Sequence, residues 1–241
     1  MLSSTKLVRI GCLLVFLTAC TGPKPVPTDT LDAVRTRGSL LCGVANNNVP
    51  GFIEKKENSY SGLDADICRA VAVAVLGNAE AVEFLALSEQ DSLNALLDGD
   101  LDLLSRATMR SGVDAGLALN FAPLTFHTPE SHQGPVVREG DEKWFAVISW
   151  TIFATFAAEE FGVSSRNVAT WLTSKDDKIL YLLGVEPEVI ERLGLERRAF
   201  YNVIEQVGNY AEIYKRNFGA EPRGLNASYK DGGLLYAPPF R

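Results

Sequence analysis

Histidine is scarce in this chain. Only His127 and His132 occur, five residues apart, with Glu130 between them. Two imidazoles and a carboxylate can hold a divalent metal such as zinc, provided a rigid frame fixes them and outer hydrogen bonds orient the rings. The surrounding stretch, TFHTPESHQGPVVREGDEKWF (residues 125–145), has neither helical spacing nor flanking strand patterns to supply that frame. The expectation is no metal, with both histidines as bystanders. Ser88 and Ser105 lack a nearby base, so a Ser–His–Asp triad would have to borrow His127 or His132 by coincidence. DGDLD and DGGLL are turns without the Lys and Ser of a phosphate loop or its strand–helix frame. No enzyme activity and no cofactor are expected.

The cysteines divide by position. Cys12 lies within an N-terminal segment in which Lys6 and Arg9 precede an apolar run, Ile10 to Leu17. That run is shorter than the ~20 residues a membrane span needs and reads as a secretory signal. It ends in LTAC (residues 17–20), which resembles the lipobox of bacterial lipoproteins. The resemblance implies cleavage before Cys20 and a lipid on its thiol, hence a protein anchored to a bacterial membrane on its extracytoplasmic, periplasmic side. TGPKPVPTD (residues 21–29) is Pro-rich and reads as an extended tether. Cys42 and Cys68 remain, either as a disulfide, which an oxidising compartment permits, or as two buried thiols.

Stepping from these groups to the elements that hold them, residues 30–108 read as a short helix capped by Thr30, then β-α-β-α-β. SLLCGVA is an unbroken apolar run, as in a strand buried on both faces. LDADICRAVAVAVLGN places Leu63, Ile67, Ala70, Val71, Ala74 and Val75 on one helical stripe. AVEFLAL and LDLLSRAT are further strands, with SEQDSLNALLDGD a helix between them. Such alternation predicts an α/β fold with a mostly parallel sheet and right-handed crossovers. From Asp141 the text is nearly all helical. Trp144, Phe145, Ile148, Ile152, Phe153 and Phe156 form a broad face expected to be core. One long helix is expected across RRAFYNVIEQVGNYAEIYKRNFG, with Gly208 tolerated inside, and a short apolar strand in the tail. The predicted organisation is a signal peptide (1–19), a tether (20–29) and a single α/β lobe (30–241). Within the lobe, the β-α-β part is 30–126, a crossover 127–140, and the helical part 141–241. With 30 acidic against 23 basic residues, net charge −7, and no basic run, nucleic acid is excluded as a partner.

Several stretches, in order, carry a resemblance: GSLLCGV, GLDADICRAVAVAV, NALLDGDLDLLSR, LALNFAP, GPVVREGDEKWF, WTIFATFAAEEFGV, YNVIEQVGNYAEIYKRNFG and RGLNASYKDGGLLYAPPFR. They resemble the extracytoplasmic amino-acid-binding proteins of ABC transporters, most closely the general L-amino-acid-binding branch. The resemblance implies a type II periplasmic-binding-protein fold, a two-lobed trap that captures an amino acid and delivers it to a permease. An Arg of lobe one holds the ligand carboxylate, an acid of lobe two holds its ammonium, and closure excludes water.

Two departures stand out. Members of the family carry roughly a hundred more residues between the positions of Phe126 and Gly134, which amounts to the second lobe. The chain is therefore expected to be one lobe, joined where the other is absent. The family's Arg–Asp pair also falls on Val113–Asp114, and Val113 cannot bind a carboxylate. By the resemblance, Arg106 at the end of the third strand and Arg110 are the remaining candidates for the carboxylate. Ser105 and Thr108 would offer hydroxyls, and Phe52 an apolar wall. Each also has an ordinary structural role open to it. With half the cleft gone, amino-acid binding is expected to be weak or lost. A protein–protein interaction module, a homodimer through the sheet face left bare, and a remnant without function are the alternatives.

Overall fold

The computed structural model describes residues 29–57, 59–109, 116–220 and 222–240. Cys20, Arg110 and the Val113–Asp114 pair lie outside the described residues, and for Thr108 the backbone alone is described. Helix α1 (Thr30–Arg37) is capped by Asp29, whose carboxylate accepts the Asp32 N–H, rather than by the expected Thr30. Thr30 is the first helical residue, and its N–H donates 2.7 Å to the Asp141 carboxylate.

Strand β1 (Leu40–Ala45) follows, then a small antiparallel hairpin of β2 (Glu54–Lys56) and β3 (Ser59–Ser61). The chain continues through α2 (Leu63–Leu76), β4 (Val82–Leu87), α3 (Glu89–Leu97) and β5 (Leu103–Met109). β1 pairs in parallel with both β4 and β5, as the β-α-β reading requires. Three further strands, β6 (Leu119–Phe121), β7 (Phe126–His127) and β8 (His132–Arg138), complete the sheet. β8 runs antiparallel beside β5, and β6 and β7 pair antiparallel with β8. The order is β4-β1-β5-β8-β6, so a parallel part built by the crossovers meets an antiparallel edge built by the returning chain.

Helices cover this sheet unequally. α2 is buried along nearly its whole circumference, which explains its Ala/Val composition. It lies between the sheet and an outer layer made by α4 (Glu142–Glu160) and later helices. After α4 come α5 (Asp177–Leu182), α6 (Glu188–Arg192), α7 (Ala199–Gln206) and α8 (Tyr210–Phe218). Trp144 pins α4 to the sheet: it is 1% exposed, and its indole N–H donates 2.8 Å to the Asp102 carbonyl just before β5. On the opposite face α3 covers only a small cluster of Leu96, Leu101, Leu104 and Val136.

Three local expectations change. The long helix of residues 199–218 is two helices, because Gly208 adopts φ 102° and Asn209 starts α8 with a reciprocal capping box to Glu212. The aromatic face of α4 is only partly core. Trp144, Ile148, Ile152 and Phe156 are buried, whereas Phe145 and Phe153 line an open cavity. The tail strand is reduced to one parallel bridge, Ser228 to Leu235.

Candidate functional site

Because β1, β4 and β5 run parallel, their C-terminal ends emerge together, the place where open α/β sheets meet ligands. Alternation along β5 then separates the two candidates it carries. Ser105 is buried toward α2, its hydroxyl 3.4 Å from the Asp64 carboxylate. Arg106 turns to the other face, where Nη1–H donates to the Leu87 carbonyl at 3.2 Å and to the Ser92 hydroxyl at 3.3 Å. Its guanidinium thereby ties the end of β4 to α3. Phe52 meets Phe126 edge-on at 4.8 Å and Phe218 at 5.2 Å, inside an aromatic cluster that includes Tyr214. The backbone of Thr108 pairs with Gly134 of β8. Ser105 and Arg106 thus leave β5 on opposite faces, while Phe52 packs within the aromatic cluster.

Beside them is a feature the sequence reading passed over. Beyond the end of β1, a cavity of about 440 Å³ is lined by Asn46, Asn48, Lys55, Lys56 and Glu57. The Asn48 side-chain oxygen accepts the Lys55 N–H at 3.1 Å and so fixes the β2 hairpin over the strand end. Two ammonium groups and two amides are suited to a carboxylate ligand. The signal was legible: NNN and EKK bracket a turn that directly follows a core strand. Further along α2, Asp66 is committed to structure, accepting from Arg216 at 2.9 and 3.0 Å and from Asn217 at 2.7 Å. Cys42 and Cys68 are disulfide-bonded, with Cα atoms 6.2 Å apart, and link β1 to α2.

The histidine segment is better ordered than its sequence suggests. β7 and β8 form a hairpin in which His127 lies directly across from His132. The connecting turn is closed by the Thr128 N–H donating 2.8 Å to the Ser131 carbonyl, and by the Ser131 N–H donating 3.0 Å to the Thr128 hydroxyl. Asn226 fastens the hairpin to the tail: its side-chain oxygen accepts the His127 N–H at 2.7 Å, and its amide donates 2.9 Å to the His127 carbonyl. The two Nδ1 atoms are 2.8 Å apart, so one ring donates and the other accepts. Burial, followed by the charge His132 can carry, holds the His127 imidazole below its ordinary pKa. The expectation that no strands frame these histidines is therefore corrected: cross-strand pairing frames them, through Gly134 and its neighbours. A Cβ on Gly134 would sit 3.0 Å from the Pro123 carbonyl oxygen, so only glycine lets β8 approach the Ala122–Leu124 segment so closely. Among the described residues, no group of three or more His, Cys, Asp or Glu is placed to hold a metal.

No protein-family profile matches the chain. Individual proteins do. YhdW of Escherichia coli (strain K12), named as an amino-acid ABC transporter-binding protein, is 29% identical over 316 aligned positions, covering 88% of this chain and 92% of YhdW. The general L-amino acid-binding periplasmic protein AapJ of Rhizobium johnstonii is 28% identical over 325 positions, covering 91% and 95%. An ABC transporter periplasmic binding protein from Brucella ovis, solved with glutathione bound, is similar with a TM-score of 0.82 and 27% identity, covering 88% of this chain and 99% of that one. These relatives are named as binding proteins, not enzymes. Since 88% of 241 residues is about 212, roughly 100 of the 316 positions aligned with YhdW have no residue of this chain opposite them. In sequence over most of its length, and in fold, the chain is a homologue of the extracytoplasmic amino-acid-binding proteins of ABC transporters, shortened by about 100 residues relative to those it matches.

Proposed function

We propose that this chain is the solute-binding component of an amino-acid ABC transporter, reduced to its first lobe and working with a permease. One observation supports the reading above the others: the alignment spans 88% of this chain and 92% of YhdW, yet roughly 100 of its 316 positions have no residue of this chain opposite them. We place the missing positions at the β7–β8 hairpin, where the family resemblance expects the second lobe. The ligand site we assign is the strand-end surface, with Arg106, Ser105, Thr108, Arg110 and Phe52 as the residues carried over from the family. The ammonium groups of Lys55 and Lys56 join them on the rim of the adjacent cavity. Cys20 is the proposed lipid attachment point, making the protein an anchored one in the periplasm.

A single lobe leaves a ligand half exposed, so each ion pair there contributes about 0–1 kcal/mol. Millimolar affinity requires only about 4 kcal/mol in total, and we expect the chain to fall short of it. Calorimetry checks this with a panel of L-amino acids plus glutathione, the molecule seen in the Brucella ovis relative. The protein would be taken from the detergent phase, into which a lipid on Cys20 should carry it. A micromolar dissociation constant for any member of the panel sinks the weak-binding reading. Recovery from the aqueous phase alone sinks the anchor.

A further inference from the structure

A cavity of about 720 Å³ opens on the outer side of α4, and none of its lining residues belongs to β1, β4 or β5. That volume is within the roughly 300–1,000 Å³ typical of small-molecule sites. α4 presents residues 142, 145, 146, 149, 150 and 153 to it, the spacing of one helical face. Phe145, Trp150 and Phe153 are its aromatic walls on α4, joined by Phe121 of β6 and Tyr236 of the tail. Ala146 and Ser149 are the small side chains of the stripe, and they leave the space between the rings.

Hydroxyls inside helices commonly bond back to a carbonyl one turn earlier, and two others of α4 do so. Thr151 donates 2.7 Å to the Val147 carbonyl, and Thr155 donates 2.7 Å to the Ile152 carbonyl. Ser149 does not. It is 7% exposed, and its hydroxyl has no hydrogen-bond partner among the described residues. A buried hydroxyl without a partner costs stability, so its place on a cavity wall points to a bond made with an occupant. Charge narrows the chemistry of that occupant. Glu142, exposed at the rim, is the sole Asp, Glu, Lys or Arg among the lining residues. A carboxylate there repels anions, and the faces of aromatic rings attract cations. Glu142 and Ser149 are seven residues apart, about 10 Å along the helix axis, a separation that fused rings with a short aminoalkyl arm can span. We propose that the α4 cavity binds a two-ring aromatic amine. Its rings lie between Phe145 and Phe153, a polar ring atom bonds the Ser149 hydroxyl, and its ammonium is directed to Glu142. The proposal makes no use of the strand-end ligand site and stands or falls without it.

The test is calorimetry on the full chain held in lipid nanodiscs, with empty discs as the blank. The probes are tryptamine and indole-3-propionate, which share a ring system and differ in the charge on the arm. Tryptamine should bind with a dissociation constant on the order of 10–100 µM, and indole-3-propionate at least about tenfold more weakly. Ser149→Ala should weaken tryptamine about tenfold while raising the melting temperature of the unliganded protein by about 2–4 °C, because it deletes a hydroxyl that has no partner there. A serine with a purely structural role would give neither the weaker binding nor the gain in stability. Ala146→Leu fills the space between the rings and should abolish binding, which places the site independently of Ser149. Tryptamine heats no larger than the blank overturn the proposal, as does equal affinity for the two probes. Unchanged affinity in Ser149→Ala also overturns it, since the hydroxyl would then be satisfied by water rather than by the ligand.

Discussion

The helical layer over α2 and the β7–β8 hairpin are held by different forces. Under α4, α7 and α8 lies one large apolar core, with Trp144, Phe200 and Tyr210 fully buried in it. The hairpin has one aromatic anchor, Phe126 against Phe52 and Phe218, and otherwise rests on a handful of polar contacts: the Asn226 clamp, the histidine pair and the Thr128–Ser131 turn. The contrast explains how a lobe can stand without its partner. Its apolar surface is covered by helices that belong to the same lobe, so losing the partner removes little of the burial that drives folding. The hairpin, where we propose the join, needs only to turn the chain and satisfy its backbone.

The sharpest way to break this contrast is to damage the core. Trp144→Ala should lower unfolding stability by about 3–5 kcal/mol, through the cavity it leaves and the lost indole bond to the Asp102 carbonyl. Urea unfolding followed by circular dichroism measures it. A loss under 1 kcal/mol would show that α4 is not what holds the lobe together. Next in size is the clamp. Asn226→Leu leaves the His127 N–H and carbonyl, both buried, without partners, at a cost of about 1–3 kcal/mol. Hydrogen exchange should locate that loss at β7 and its turn, with amides of α2 unchanged. Uniform loosening of α2 would join the two regions into one unit.

How much of this was legible in the sequence follows the same divide. Periodic elements with many apolar neighbours read correctly: the β1 run, the α2 stripe and the buried part of the α4 face rest on patterns that burial enforces. What failed was decided by single residues. Gly208 at φ 102° and the Asn209 cap split one expected helix into two, although NYAE already offered the Asn and Glu of a capping box. The hairpin was missed because a two-residue strand has no period to detect, and its pairing is set by Asn226, 99 residues away. At the strand ends, the resemblance named residues by alignment. Pleating alone sends Ser105 and Arg106 to opposite faces, a consequence available from their adjacency in sequence. Lys55 and Lys56 went unnoticed because paired lysines near a turn usually mean only a solvated loop.

The gentlest probe is pH, and its sign follows from the burial of His127. Its folded-state pKa is lowered, first by burial and then by His132, so the unfolded chain binds the proton more readily near the ordinary value. Stability from this residue is therefore complete above about pH 6.5 and is lost as pH falls through the folded-state value. Protonating both rings also removes the acceptor from the Nδ1 pair and sets two charges across the hairpin. Amide exchange corrected for its intrinsic pH dependence should show β7 and the Thr128–Ser131 turn opening below pH 6 while α2 stays protected. His132→Asn removes one of the two charges and should reduce the acid opening, leaving only the part due to burial of His127. If the wild-type hairpin is as protected at pH 5 as at pH 8, the histidine pair contributes nothing to the closure, and the Asn226 clamp and the turn carry it alone.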